Sequence, residues 1–208
     1  NHKFINDNNF GIYRGNSLAL AEVASTFFEN LVTEHFMNSN LGEKEEFSLL
    51  MNQINDQINT IFRQISFYET EIQFHREFRE KYNLSTIELG EIFKQNLIKY
   101  SNNSLILNGD IGNFWIGVPH FRYFFYVYSY ASGLLISNAL LYSVKNDKVF
   151  VKKVKQFLKS GGDKSPTEIF KELGIDLKDK NFWISGIKNI EAMLERAEVL
   201  AKKLEYKI

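Results

Sequence analysis

From Phe47 to Ile72, apolar side chains recur in alternating steps of four and three: Phe47, Met51, Ile54, Ile58, Ile61, Ile65, Tyr68 and Ile72. A helix puts that series on one side of the chain, whereas a strand would divide it between two faces. No proline interrupts it, and the whole chain of 208 residues holds only Pro119 and Pro166. Proline breaks helix interiors, so a chain this poor in it can be built from long, uninterrupted helices. The stripe turns toward Phe74, Phe78 and Tyr82 and stops at Asn83-Leu84. It predicts one long amphipathic helix lying across a bundle.

The remaining elements read as helices too. Ser85-Thr86-Ile87-Glu88 has capping-box spacing and opens a helix over 86–102. Ser165-Pro166-Thr167-Glu168 is a second start signal, with proline at the first helical position, and that helix ends at Gly174. Pro119 opens a long aromatic helix over 120–144. Helices over 16–38, 148–160 and 180–205 complete the set, after a polar loop over 1–14. The expected architecture is all-α, a single helical domain of about seven helices, with no repeat or linker dividing it.

Composition narrows the function. The 25 basic and 25 acidic residues cancel, which argues against a nucleic acid or an anionic membrane as the main partner. There is no cysteine, so disulfides and thiolate metal sites are excluded, and a reducing, cytoplasmic setting is compatible with that. The apolar run over 121–144 carries Arg122, four serines, an asparagine and five tyrosines, and so reads as a buried soluble helix.

Two constellations could carry chemistry. In Ala21-Glu22-Val23-Ala24-Ser25-Thr26-Phe27-Phe28-Glu29, helical spacing sets Glu22, Ser25, Thr26, Glu29 and Thr33 on one stripe. Leu18, Leu20, Val23, Ala24, Phe27, Phe28, Leu31 and Val32 cover the rest, so the helix is expected to be buried. A buried carboxylate needs a cation, a metal or several donors. Glu22 is therefore either a core glutamate bonded to hydroxyls or to Arg63, or a metal ligand. The second constellation is Pro119-His120-Phe121-Arg122-Tyr123-Phe124-Phe125-Tyr126-Val127-Tyr128-Ser129-Tyr130-Ala131-Ser132-Gly133. On a helix, Tyr126 and Tyr130 share a face. They are either an aromatic core stripe or phenol donors aimed at a developing oxyanion, with His120 holding substrate backbone.

Together these segments resemble the oligoendopeptidase F family of zinc metallopeptidases, relatives of thimet oligopeptidase. The matching residues run in order: Ala21 to Phe27 with Glu29, Pro119-His120-Phe121, Phe125-Tyr126-Val127-Tyr128, Tyr130-Ala131 and Gly133. Phe157 to Gly162, Ser165-Pro166 and Leu173-Gly174-Ile175-Asp176 extend the match. The resemblance implies a helical peptidase that binds one zinc ion and hydrolyses short peptides. In it Glu22 is the third zinc ligand, Glu29 at most orients another ligand, and His120, Tyr126 and Tyr130 hold substrate and stabilise the tetrahedral intermediate. The family's other two ligands and its general base come from a His-Glu-x-x-His helix, and no such motif occurs among these residues. The resemblance places it just ahead of Asn1, so the chain is expected to be the C-terminal part of such an enzyme, inactive by itself. Arg122 departs from the tyrosine common at that place in the family. The alternative is a non-catalytic helical interaction domain that keeps the family fold.

Overall fold

The computed structural model describes residues 7, 20, 22–39, 41–102, 104, 106–107, 109–160, 162 and 164–206. The expected loop over 1–14 and the first turn of the helix at 16–38 lie outside them, apart from Asp7 and Leu20. The described residues form eight α-helices: α1 (Val23–Met37), α2 (Glu43–Ile58), α3 (Gln64–Lys81), α4 (Thr86–Tyr100), α5 (Tyr128–Asn146), α6 (Phe150–Lys159), α7 (Pro166–Glu172) and α8 (Lys180–Lys203). A π-helical segment, Asn59–Arg63, joins α2 to α3, and two 3-10 segments, Ile111–Gly117 and Pro119–Arg122, precede α5. The expected helical architecture is therefore present. Both capping boxes form as the sequence predicts, with Ser85 and Ser165 each exchanging hydrogen bonds with the glutamate three residues on.

The π segment changes the long amphipathic element. A π turn takes in one more residue than an α turn, which rotates whatever follows by about 100°. Before it the buried face is Leu50, Ile54 and Gln57, as the stripe predicts for Ile54. After it the buried residues are Ser66, Phe67, Thr70 and Glu71, rather than Ile65 and Ile72. The rotation carries a carboxylate inward.

The chain divides into two compact units, one drawn from its two ends, up to Gln57 and from Ser132, the other from Ile58 to Ala131. In the first, Phe27, Leu140, Phe157, Phe170 and Leu173 centre one apolar cluster, and Leu50, Ile54, Ala197 and Leu200 centre another. Gly186 of α8 lies where a Cβ would come 2.5 Å from the Leu135 carbonyl oxygen, so only glycine lets α8 approach α5 there. The same unit holds a neutral polar network. Asn30 Nδ2 donates to Asn138 Oδ1 at 2.9 Å, Asn138 Nδ2 to Gln57 Oε1 at 3.0 Å, and Gln53 Nε2 to Asn30 Oδ1 at 3.3 Å. Contrary to the expectation of a helix buried all round, α1 buries only Val23, Ala24, Phe27 and Asn30, while Phe28, Leu31, Val32 and Phe36 are exposed. One face of α1 meets the core of its unit and the other does not.

In the second unit α3 packs along α4, and α4 along the first 3-10 segment. Its core is aromatic: Phe67 and Phe93 meet Phe121 at 5.6 and 6.5 Å between ring centroids, with Leu97, Val118 and Val127 around them. No described helix is long and apolar enough to cross a membrane.

Candidate active site

His120 is set by the 3-10 turn Pro119–Arg122. Proline supplies the fixed φ at its start. The Arg122 guanidinium folds back to donate to the Ile116 carbonyl at 2.9 Å and the Val118 carbonyl at 3.4 Å. That side chain ties the two 3-10 segments together, which is a use for a residue the sequence marks only as a departure from the family.

The aromatic helix expected over 120–144 begins only at Tyr128. Residues 123–127 form a turn, in which Phe124 and Phe125 take positive φ values of 39° and 53°. The left-handed region costs an L-residue about 1–2 kcal/mol, and aromatic residues are unusual there. Two causes displace the helix. Phe, Tyr and Val are weak helix formers. The Phe125 N–H, which a helix would commit to the carbonyl of Phe121, instead donates to Glu71 Oε1 at 2.7 Å.

The turn delivers Tyr126 beside His120. The Tyr126 ring lies 5.4 Å from the imidazole centroid and 5.5 Å from the Tyr130 ring. The Tyr130 hydroxyl and His120 Nε2 share a hydrogen bond of 2.8 Å. Ser129 Oγ donates to the Tyr126 carbonyl at 2.7 Å, fixing the backbone as α5 begins. The three residues singled out from sequence, His120, Tyr126 and Tyr130, are thus together in one unit, all half-buried. Tyr123 borders them at 6.4 Å from Tyr126 and is largely exposed. The cluster offers hydroxyl and imidazole groups within reach of one another, which suits donation to a carbonyl oxygen that gains negative charge.

Sequence reasoning passes over the carboxylate behind the turn. Glu71 is 2% exposed, and its Oε2 meets no hydrogen-bond partner among the described residues. Burial pushes its carboxyl above the usual range, opposed by the Phe125 N–H and by His75, whose Nε2 stands 4.0 Å from Oε1. Tyr68, Glu71 and His75 recur at helical spacing on α3, and the rings of Tyr68 and His75 pack against Phe125 at 5.8 and 5.3 Å. That spacing is the signal that could have revealed the face, had the π rotation been foreseen.

Glu22 belongs to the other unit. It stands immediately before α1 in helical geometry and is half-buried. The Ser25 hydroxyl donates to its carbonyl at 3.0 Å and approaches Oε2 at 3.5 Å. Gly133 of α5 packs on it so closely that a Cβ there would come 2.8 Å from Glu22 Cβ. Glu29 is exposed. No three His, Cys, Asp or Glu side chains gather as a metal-binding set among the described residues. The Glu22 carboxylate is an oxygen donor of the kind zinc accepts, and as a single ligand it would need others from elsewhere.

The profile of Peptidase family M3 matches residues 5–189. The chain belongs to peptidase family M3. Its relatives include Oligopeptidase PepF of Bacillus subtilis, 31% identical over 194 residues that make up 93% of this chain and 29% of the relative. The plasmid-borne Oligoendopeptidase F of Lactococcus lactis subsp. cremoris is 29% identical over 201 residues, 96% of this chain and 33% of the relative. The fold matches the crystal structure of oligoendopeptidase-F from Enterococcus faecium with a TM-score of 0.82 and 25% identity, covering 97% of this chain and 37% of that one. This M3 chain thus spans about a third of the length of the curated relatives it matches.

Proposed function

We propose that this chain forms part of a zinc-dependent metalloendopeptidase, an oligopeptidase that hydrolyses short peptides in the cytoplasm. The observation that carries the reading is the gathering of His120, Tyr126 and Tyr130 around one hydrogen bond, in a chain of peptidase family M3. Glu22 would hold the zinc ion, with two histidines and a general base from a His-Glu-x-x-His helix outside these residues. Zinc bound there would polarise the scissile carbonyl and lower the pKa of a bound water.

The chain's own groups act on the substrate. The hydroxyls of Tyr126 and Tyr130 donate to the carbonyl oxygen as it gains negative charge, in a setting already folded to receive it. His120 takes its orientation from the shared hydrogen bond at Nε2, which leaves Nδ1 for the peptide backbone. Gly133 leaves the Glu22 main chain room that any side chain would fill.

The test is Glu22→Gln in the intact protein that carries this chain, followed by zinc content and peptide turnover. An amide is the poorer ligand, so both should fall together. A variant that keeps its full zinc and its full turnover would overturn the assignment. The chain of 208 residues on its own is expected to hydrolyse nothing.

A further inference from the structure

Glu71 lies behind the candidate oxyanion donors, not among them. Its side chain is buried, yet one carboxylate oxygen has a single backbone partner and the other has none among the described residues. An arrangement of that kind is costly, and a hydrophobic residue of similar size would remove the cost. The partner it does have is informative. The N–H it accepts belongs to Phe125, the second of two consecutive aromatic residues in the left-handed region, and Tyr126 follows directly.

We infer that Glu71 is a positioning residue for peptide hydrolysis: by accepting the Phe125 N–H it locks the left-handed Phe124–Phe125 turn that sets Tyr126 against His120 and Tyr130. The inference rests on the peptidase reading above and deepens it. Two strained residues persist only where their surroundings over-determine them, and α3 supplies that constraint. Glu71 holds the backbone. On the next turn the His75 ring stacks on Phe124 at 6.2 Å with 23° between planes, and Tyr68 on the preceding turn packs edge-on to Phe125. Without an acceptor at Glu71, the Phe125 N–H can return to the helical pattern and bond the Phe121 carbonyl. That would start α5 earlier and carry the Tyr126 ring away from the imidazole. The acceptor oxygen matters here, and the charge does not.

This distinction sets the experiment. Glu71→Gln keeps an acceptor at the same reach, Glu71→Asp keeps the charge but withdraws it by one methylene, and Glu71→Leu keeps the bulk alone. In the intact protein the expected order of kcat is Glu, then Gln within about threefold, then Asp, then Leu lower by roughly 10- to 100-fold, with KM changing little. In parallel, the intact protein with labelled tyrosine is followed by NMR. The Tyr126 ring signals and the protection of the Phe125 amide should survive Glu71→Gln and be lost in Glu71→Asp and Glu71→Leu. Should Glu71→Leu fail to fold, the order of Gln and Asp still decides. Asp matching wild type while Gln fails would overturn the inference, as would Tyr126 signals unmoved in all three variants. A wild-type protein without peptide turnover would instead defeat the peptidase reading, and the NMR arm would still judge the turn.

Discussion

Asn138 in the first unit and Glu71 in the second are both buried polar side chains on helices, and their surroundings differ in kind. Asn138 donates and accepts within a neutral network of amides and a hydroxyl that leaves one nitrogen over, Gln57 Nε2. Glu71 carries a carboxylate into an aromatic core, with one oxygen unpartnered among the described residues and two left-handed phenylalanines above it. Neutral amides that pair with one another hold helices in register at less cost than a buried carboxylate does. Groups that stay unsatisfied, next to strained backbone, collect where a protein fixes a working geometry at the expense of stability. The first unit holds Glu22, and the second carries the clustered histidine and tyrosines.

The contrast is broken most forcefully through the two cores. Phe170 and Phe93 are fully buried, one in each unit, and truncation to alanine should cost about 3–5 kcal/mol in either case, measured by urea unfolding. Only Phe93→Ala should also disturb the ring signals of Tyr126, because Phe93 packs on Phe121 beside His120. Equal disturbance by both would erase the division of labour.

A smaller effect isolates the strain. Phe124 is 77% exposed, so little packing is lost by replacing it. Asparagine tolerates its left-handed geometry better than phenylalanine does, and Phe124→Asn should stabilise the protein by roughly 0.5–1 kcal/mol. A loss of stability would show that the turn is not strained.

The smallest effect is a slope against pH. The folded state holds the Glu71 proton to higher pH than the unfolded chain does, because burial raises its pKa. Stability contributed below the ordinary carboxylate range is therefore lost as pH rises through the raised value. Glu71→Gln should match wild type at low pH and gain on it above that window. Glu88 and Glu168 act in the opposite sense. The hydrogen bonds from their N-cap serines lower both, so the stability they contribute is present above the ordinary range and lost as pH falls. A difference curve between Glu71→Gln and wild type that is flat with pH would remove the charged carboxyl from the account.

How much of this the sequence discloses depends on whether the cause is local. The capping serines Ser85 and Ser165 and the helical character of nearly every segment are legible, because caps and periodicity act within a turn or two. The clustering of His120, Tyr126 and Tyr130 is also anticipated, although through helical spacing that only Tyr130 obeys. The delayed start of α5 is not legible. It depends on a carboxylate 54 residues away in sequence taking the Phe125 N–H. Glu71 is hidden in turn by the π segment, since a one-residue insertion rotates the stripe without altering its composition. The exposure of Phe28, Leu31 and Val32 on α1 has the same origin in tertiary structure, as hydrophobicity alone does not say which face finds a partner.

The most direct measurement on the central claim is the turnover of Tyr126→Phe in the intact protein, with zinc content determined on the same sample. The substitution removes one hydroxyl and leaves the ring against His120 and Tyr130. If these side chains stabilise the oxyanion, kcat should fall by roughly 100- to 1000-fold with zinc unchanged. Undiminished kcat would contradict the account.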